Sequence, residues 1–500
     1  MKNKFIYLAV LAAVFAGCEP EFENEVNSGS YSAGEADFSS YVAIGNSLTA
    51  GYIDGTVYRE GQKNSFPNIL SQQFALVGGG AFTQPSYEDD VNNTGGFLLG
   101  TTPITSTRLI INTSTGGPEP IAGLPTANVG TLQATAYNNM GVPGAKSFHF
   151  LAAGYGNLAG VQAGMANPYF VRTATSPTAT VLGDAMSKNP TFFTNWVGDM
   201  DVLAFATSGG TGVDQTGNMN PASYGPNDIT DPQVFASVYS TITNTLTAGG
   251  AKGVCATIPN VTSIPYFTTV PYNPVPLDAG TAALLNQGFA QYNGGLQVAK
   301  NAGLITADEA TRRTIAFHAG ADNAVTISDE GLTNLSGLGL PSYRQATASD
   351  LIVLTARSVI GTTVGGNPQQ INGVSVPLAD QWVLVPSEIT LINTATTNFN
   401  NTIKAIAASK GLAVADMNAV LTQLVTGLQS ADGQIYKANY FSSATANTVV
   451  FSLDGVHPNA RGYALVANEF IKVINSFYKA HLPFVIPGSY PGATILTSNP

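Results

Sequence analysis

Short, largely apolar runs alternate along this chain with longer segments whose apolar positions recur every three or four residues. Tyr41-Val42-Ala43-Ile44, closed by Gly45, predicts a strand buried on both faces, and Phe192 to Val197, followed by Gly198, predicts another. Residues 233–248 predict a helix leading into a strand over 253–258, which Pro259 ends. Residues 397–409 repeat the arrangement: helix, then Lys410-Gly411, then a strand from Leu412 to Asp416. After Pro458 a last helix sets Tyr463, Val466, Ala467, Phe470, Ile474 and Phe477 on one face. Strands alternating with helices imply a parallel sheet covered on both sides, with its active edge at the strand C-termini. Three Gly/Thr/Asn-rich stretches, about 52–130, 145–190 and 305–392, break this rhythm and are expected to be insertions decorating that edge. No internal repeat, heptad pattern or second apolar run of membrane-spanning length interrupts the chain.

The first residues follow a different logic. Lys2 and Lys4 precede an apolar run from Phe5 to Gly17, too short to span a bilayer but of signal-peptide length. The run ends in Phe15-Ala16-Gly17-Cys18, which resembles a bacterial lipoprotein signal: residues 1–17 would be removed and Cys18 would carry lipid. The plainer alternative is an ordinary signal peptide with an incidental cysteine. Residues 18–37, opening Glu19-Pro20-Glu21-Phe22-Glu23 and turning Ser/Gly-rich, are expected to form a flexible acidic tether. Acidic residues behind the cysteine also resemble the export signal of surface lipoproteins in Bacteroidetes-type bacteria, implying an outer-membrane, cell-surface location. The other cysteine, Cys255, lies in an apolar run and reads as a buried small hydrophobe.

Composition narrows the partners. The chain of 500 residues is 44% hydrophobic and only 10% charged, where about 25% charged is usual. A large core is therefore available, and 53 Gly with 28 Pro promise many loops. A formal charge of −11 argues against nucleic acid or an anionic membrane face as the main partner.

The chemistry begins where the first strand ends. Gly45-Asn46-Ser47-Leu48-Thr49-Ala50-Gly51 places Ser47 on a tight strand-to-helix turn, with its hydroxyl and backbone N–H open to a substrate. Thr49 excludes the Gly-x-Ser-x-Gly elbow, and alone such a serine would more often be a helix cap. Far downstream stands Asp454-Gly455-Val456-His457-Pro458, where an Asp three residues ahead of a His can hold Nδ1 and leave Nε2 free to take a proton from serine. His149, His318 and His481 are scattered without cysteine or carboxylate clusters, and Asp322, Asp329 and Glu330 lack the spacing of a calcium loop, so no metal site is predicted.

Ser47 and the Asp454/His457 pair together resemble the SGNH/GDSL hydrolase superfamily, in its long Bacteroidetes-type lipoprotein branch. The resemblance spans residues 38–485, leaves 486–500 as a tail, and rests most on its first and last blocks. It implies a flavodoxin-like three-layer α/β/α fold, ester hydrolysis through an acyl-serine, and no cofactor. A second block, Asn139-Met140-Gly141-Val142-Pro143-Gly144-Ala145, implies that Gly144 supplies an oxyanion N–H beside that of Ser47. The third block departs from the pattern: in Gly198-Asp199-Met200-Asp201, the position of the oxyanion Asn holds Met200, which cannot donate a hydrogen bond. Losing one such donor costs on the order of 10²–10³ in turnover. Asn138 and Asn139 are alternative donors.

Two functions follow. The first is a surface-anchored serine esterase or lipase acting on acyl or acetyl esters of lipid or glycan, held to the membrane through Cys18. The second is an impaired hydrolase-like lipoprotein serving as a binding or assembly subunit of an outer-membrane protein complex.

Overall fold

The computed structural model describes residues 31–115, 117–430 and 433–499. The expectations for the leader, for Cys18 and for most of the tether lie outside the described residues.

Five parallel strands form the central sheet: β1 (Tyr41–Gly45), β2 (Asn139–Gly141), β3 (Phe192–Trp196), β4 (Lys252–Ala256) and β5 (Ala413–Ala415). Their spatial order is β2-β1-β3-β4-β5, with Tyr41 opposite Phe192 and Ala43 opposite Asn139. Strand direction stays constant while the order reverses beside β1, the switch point at which open α/β sheets bind ligands. β2 was not foreseen as a strand. It has three residues and one apolar side chain, Met140, too little for a periodicity to register.

Alternation along each strand feeds two cores. On one face Tyr41, Ala43, Phe192, Trp196 and Val254 pack against α2 (Phe66–Ala75) and the last helix, α8 (Ala460–Tyr478). Phe66 stacks on Phe470 at 4.8 Å between ring centroids. On the other face Val42, Ile44, Phe193 and Cys255 meet Phe235, Ile242 and Leu246 of α4 (Pro232–Thr247) and Phe399, Ile403 and Ala407 of α6 (Pro386–Ser409). The result is a three-layer α/β/α sandwich with helices covering both faces. Between these elements lie α1 (Ser47–Ala50), α3 (Met200–Thr207), α5 (Ala279–Asn301) and α7 (Met417–Thr426).

Three boundaries differ from the sequence reading. α6 begins at Pro386, well before residue 397, because its Thr/Asn-rich first half still buries Ile392 and Ala395. The stretch 52–130 contains α2, a helix of the sheet's own cover, so it is only partly decoration. The tail is held within its described part: Ile495–Leu496 pairs in parallel with Ile111 and Asn112.

The amino-terminal end of the described chain is also held. Ser32 pairs with His481, the Glu35 N–H donates to the Tyr478 carbonyl at 2.7 Å, and Ser40 accepts from the Thr191 amide just ahead of β3. This segment therefore enters at the edge where β1 and β3 begin. Among the described residues no helix is long and apolar enough to cross a membrane.

Candidate active site

β1 ends in Gly45, where no other residue fits: a Cβ there would lie 2.1 Å from the Thr49 hydroxyl and 2.7 Å from the Trp196 carbonyl. The chain then turns directly into α1, and Asn46 caps that turn by accepting from the Leu48 amide. Ser47, the first helical residue, faces a cleft of about 870 Å³. From 410 residues away, His457 brings Nε2 to 2.9 Å from the Ser47 hydroxyl.

Asp454 completes the chain of contacts. Its Oδ2 lies 2.9 Å from His457 Nδ1, in the turn expected from their spacing. The same carboxylate also accepts from the Gly55, Val456 and His457 amides and from the Ser452 hydroxyl, at 2.8–3.1 Å. Burial works against its charge, but His457 and these donors outweigh it and hold Asp454 below its ordinary pKa. An ionised Asp454 fixes the imidazole with Nδ1–H toward itself and Nε2 toward the serine.

The other expected residues fall as follows. Gly144 lines the same cleft, in a loop with φ +78°, tied to the end of β1 by the Val142 N–H donating to the Gly45 carbonyl at 2.8 Å. Neither the Ser47 nor the Gly144 amide donates to another protein group among the described residues. Met200 opens α3 and lines the cleft alongside both. Asn138 and Asn139 are corrected: their amides donate to the Tyr41 carbonyl of β1 and the Thr49 carbonyl of α1, at 2.8 and 3.0 Å, and neither lines the cleft. His149 stacks on Tyr155 and His318 pairs with Asp322, both outside the cleft.

Several supporting residues were not foreseen. Tyr52 stacks obliquely on His457, with 4.5 Å between centroids. Asp54, itself buried, accepts from the Leu453 amide at 2.9 Å and so holds the turn that carries Asp454. Asp54 and Gly55 both have positive φ, 56° and 87°. The Asp-Gly dipeptide signals a tight turn, but nothing in it announces a contact with residues about 400 positions later. Asp199 accepts from the Asn46 amide, while its other oxygen, Oδ2, is buried with no partner. Burial, the largest cause, pushes its carboxyl up to about 7.

A second cavity, about 110 Å³ and almost wholly apolar, borders the histidine from the other side. It shares Leu203, Val456 and His457 with the cleft and is otherwise lined by residues such as Leu421, Leu424 and Leu465.

Comparison with protein-family models, with curated proteins and with solved structures gave no match.

Proposed function

We propose that the protein is a serine ester hydrolase of the SGNH/GDSL kind, working through an acyl-serine on the esters of lipid or glycan. The observation that carries this is the unbroken Ser47–His457–Asp454 relay, at 2.9 Å for each contact, opening on a cleft at the sheet's switch point. In this reading His457 Nε2 removes the Ser47 proton as Oγ attacks the ester carbonyl. The Ser47 and Gly144 N–H groups receive the negative charge on the carbonyl oxygen. The tetrahedral intermediate collapses, the alcohol leaves with the proton from His457, and water repeats the sequence to free the acid.

Met200 supports a second reading. It stands in the cleft where a third oxyanion donor is expected, and neither neighbouring asparagine replaces it. A body that keeps the relay but turns over slowly suits a binding or assembly subunit at the outer membrane. One experiment separates the two. Under the esterase reading, wild type labels with a fluorophosphonate probe and cleaves p-nitrophenyl butyrate, and Ser47→Ala does neither. Wild type inert in both assays would favour the assembly role; an equally active Ser47→Ala would sink the serine mechanism.

A further inference from the structure

Away from the cleft, the fold gathers three carboxylates that are far apart in sequence. Glu330 follows the short strand Thr326–Ser328, Asp380 opens the turn Asp380–Trp382, and Glu388 lies in the first turn of α6. One oxygen from each falls within 4.8 Å of the other two. Among the described residues none of the three forms an ion pair, and the nearby Arg344 is already engaged by Asp329 and Asp350, each at 2.6 Å.

Glu388 is the most telling of the three. The residue is 5% exposed, and its Oε2 accepts from the Val385 amide at 2.8 Å. Its other oxygen, Oε1, is buried with no donor at all, as is Oδ1 of Asp380. Glu330 is exposed and Asp380 half-buried, but a buried carboxylate with an unpartnered oxygen this close to two further carboxylates is costly unless something positive lies between them. The turn after α3 closes over this point: Gly210, at φ +81°, packs against the carboxylate, and a Cβ there would lie 1.9 Å from Glu388 Oε1.

We infer that Glu330, Asp380 and Glu388 form a binding site for a hard divalent cation of the calcium class. Oxygen-only ligands exclude the softer metals. Calcium–oxygen distances of about 2.3–2.6 Å allow ligand oxygens up to about 5 Å apart, which this cluster meets. The remaining coordination positions fall to water and backbone carbonyls. Such an ion would link the insertion carrying Glu330 and Asp380 to the start of α6, whose Glu388 packs against the turn after α3, the helix that Met200 begins. The ion would thus brace one wall of the cleft, to which the same insertion contributes Leu354, Thr355 and Arg357.

The rival is neutralisation by protons. Burial first, then the neighbouring acids, push Glu388 up to about 8 and Asp380 up to about 6. Terbium, a luminescent calcium surrogate, distinguishes the two on the intact protein, because Trp382 lies two residues from Asp380 and can sensitise a bound ion. The expected result is tryptophan-excited terbium emission that calcium displaces, weakened at least about tenfold in affinity by Asp380→Asn and by Glu388→Gln. Trp382→Phe should dim the emission while calcium still raises the melting temperature after EDTA treatment, by on the order of 2 °C. Glu388→Gln keeps an acceptor for the Val385 amide and removes one of three like charges, so in EDTA it should melt no lower than wild type. Emission equal in wild type and Glu388→Gln, or a wild-type melting temperature indifferent to millimolar calcium, would overturn the proposal in favour of protons. This site is independent of the ester-hydrolase reading and stands or falls without it.

Discussion

Met200 and Asp199 are neighbours at the mouth of α3, and each carries a separable consequence. If the rate is limited by a missing oxyanion donor, Met200→Asn restores one where charge develops. Because that contact exists mainly in the transition state, kcat should rise by about 10–100-fold with KM little changed. Met200→Leu, which keeps the bulk and adds no donor, should leave kcat near wild type. Equal rates for Asn and Leu in folded protein would show that Met200 does not face the oxyanion. Asp199 has a different signature. Its carboxyl rises from 3.8 to about 7 on folding, chiefly through burial. The folded state therefore holds a proton that the unfolded chain has released, and stability falls as pH rises from about 4 to about 7. Asp199→Asn escapes this linkage and still accepts from Asn46. Unfolding free energies of the pair should diverge in favour of the variant by on the order of 3–4 kcal/mol between pH 4 and pH 8. A difference that stays constant with pH would mean that Asp199 ionises freely. At this scale the readable residues were those with local grammar: Ser47 on its turn, Asp454 three places before His457. Asp54, Gly55 and the Glu330/Asp380/Glu388 cluster had none, since only folding brings their partners within reach.

At the scale of elements, the strands were legible wherever burial on both faces made the run continuously apolar, as in β1. β2 escaped notice because hydrogen bonds and glycine packing define it: a Cβ on Gly141 would lie 2.2 Å from the Ala50 backbone N, so β2 lies hard against α1. α8 was found, but its face was slightly misplaced. Phe470, Ile471, Ile474 and Tyr478 are buried, whereas Phe477 is 48% exposed. A pair of truncations tests this register. Phe470→Ala removes a ring stacked in the core and should cost about 3–5 kcal/mol by denaturant melt. Phe477→Ala should cost about 0.5 kcal/mol or less. Comparable losses would mean that the helix is rotated from the orientation described.

For the whole molecule, the layered architecture followed from the alternation of strand and helix, while the tail and the joined insertions did not. Their contacts, such as Ile495–Leu496 beside Ile111–Asn112, are two-residue pairings between segments remote in the chain. The anchor is tested at this scale too. Cys18→Ala should release the protein from the membrane fraction, and retention at high salt would point to a protein partner instead. The residues from Ser32 to Ser40 add a bearing to this. They join the body where the strands begin, and Ser47 sits where β1 ends, so leash and cleft occupy opposite poles. Residues 18–30 at full stretch reach roughly 45 Å. If Cys18 carries lipid as expected, that attachment enters on the side of the body remote from the cleft. If the esterase reading holds as well, ester displayed on separate vesicles should be cleaved faster than ester embedded in the vesicle that carries the protein, and equal rates would mean that the attachment leaves the cleft free to turn back.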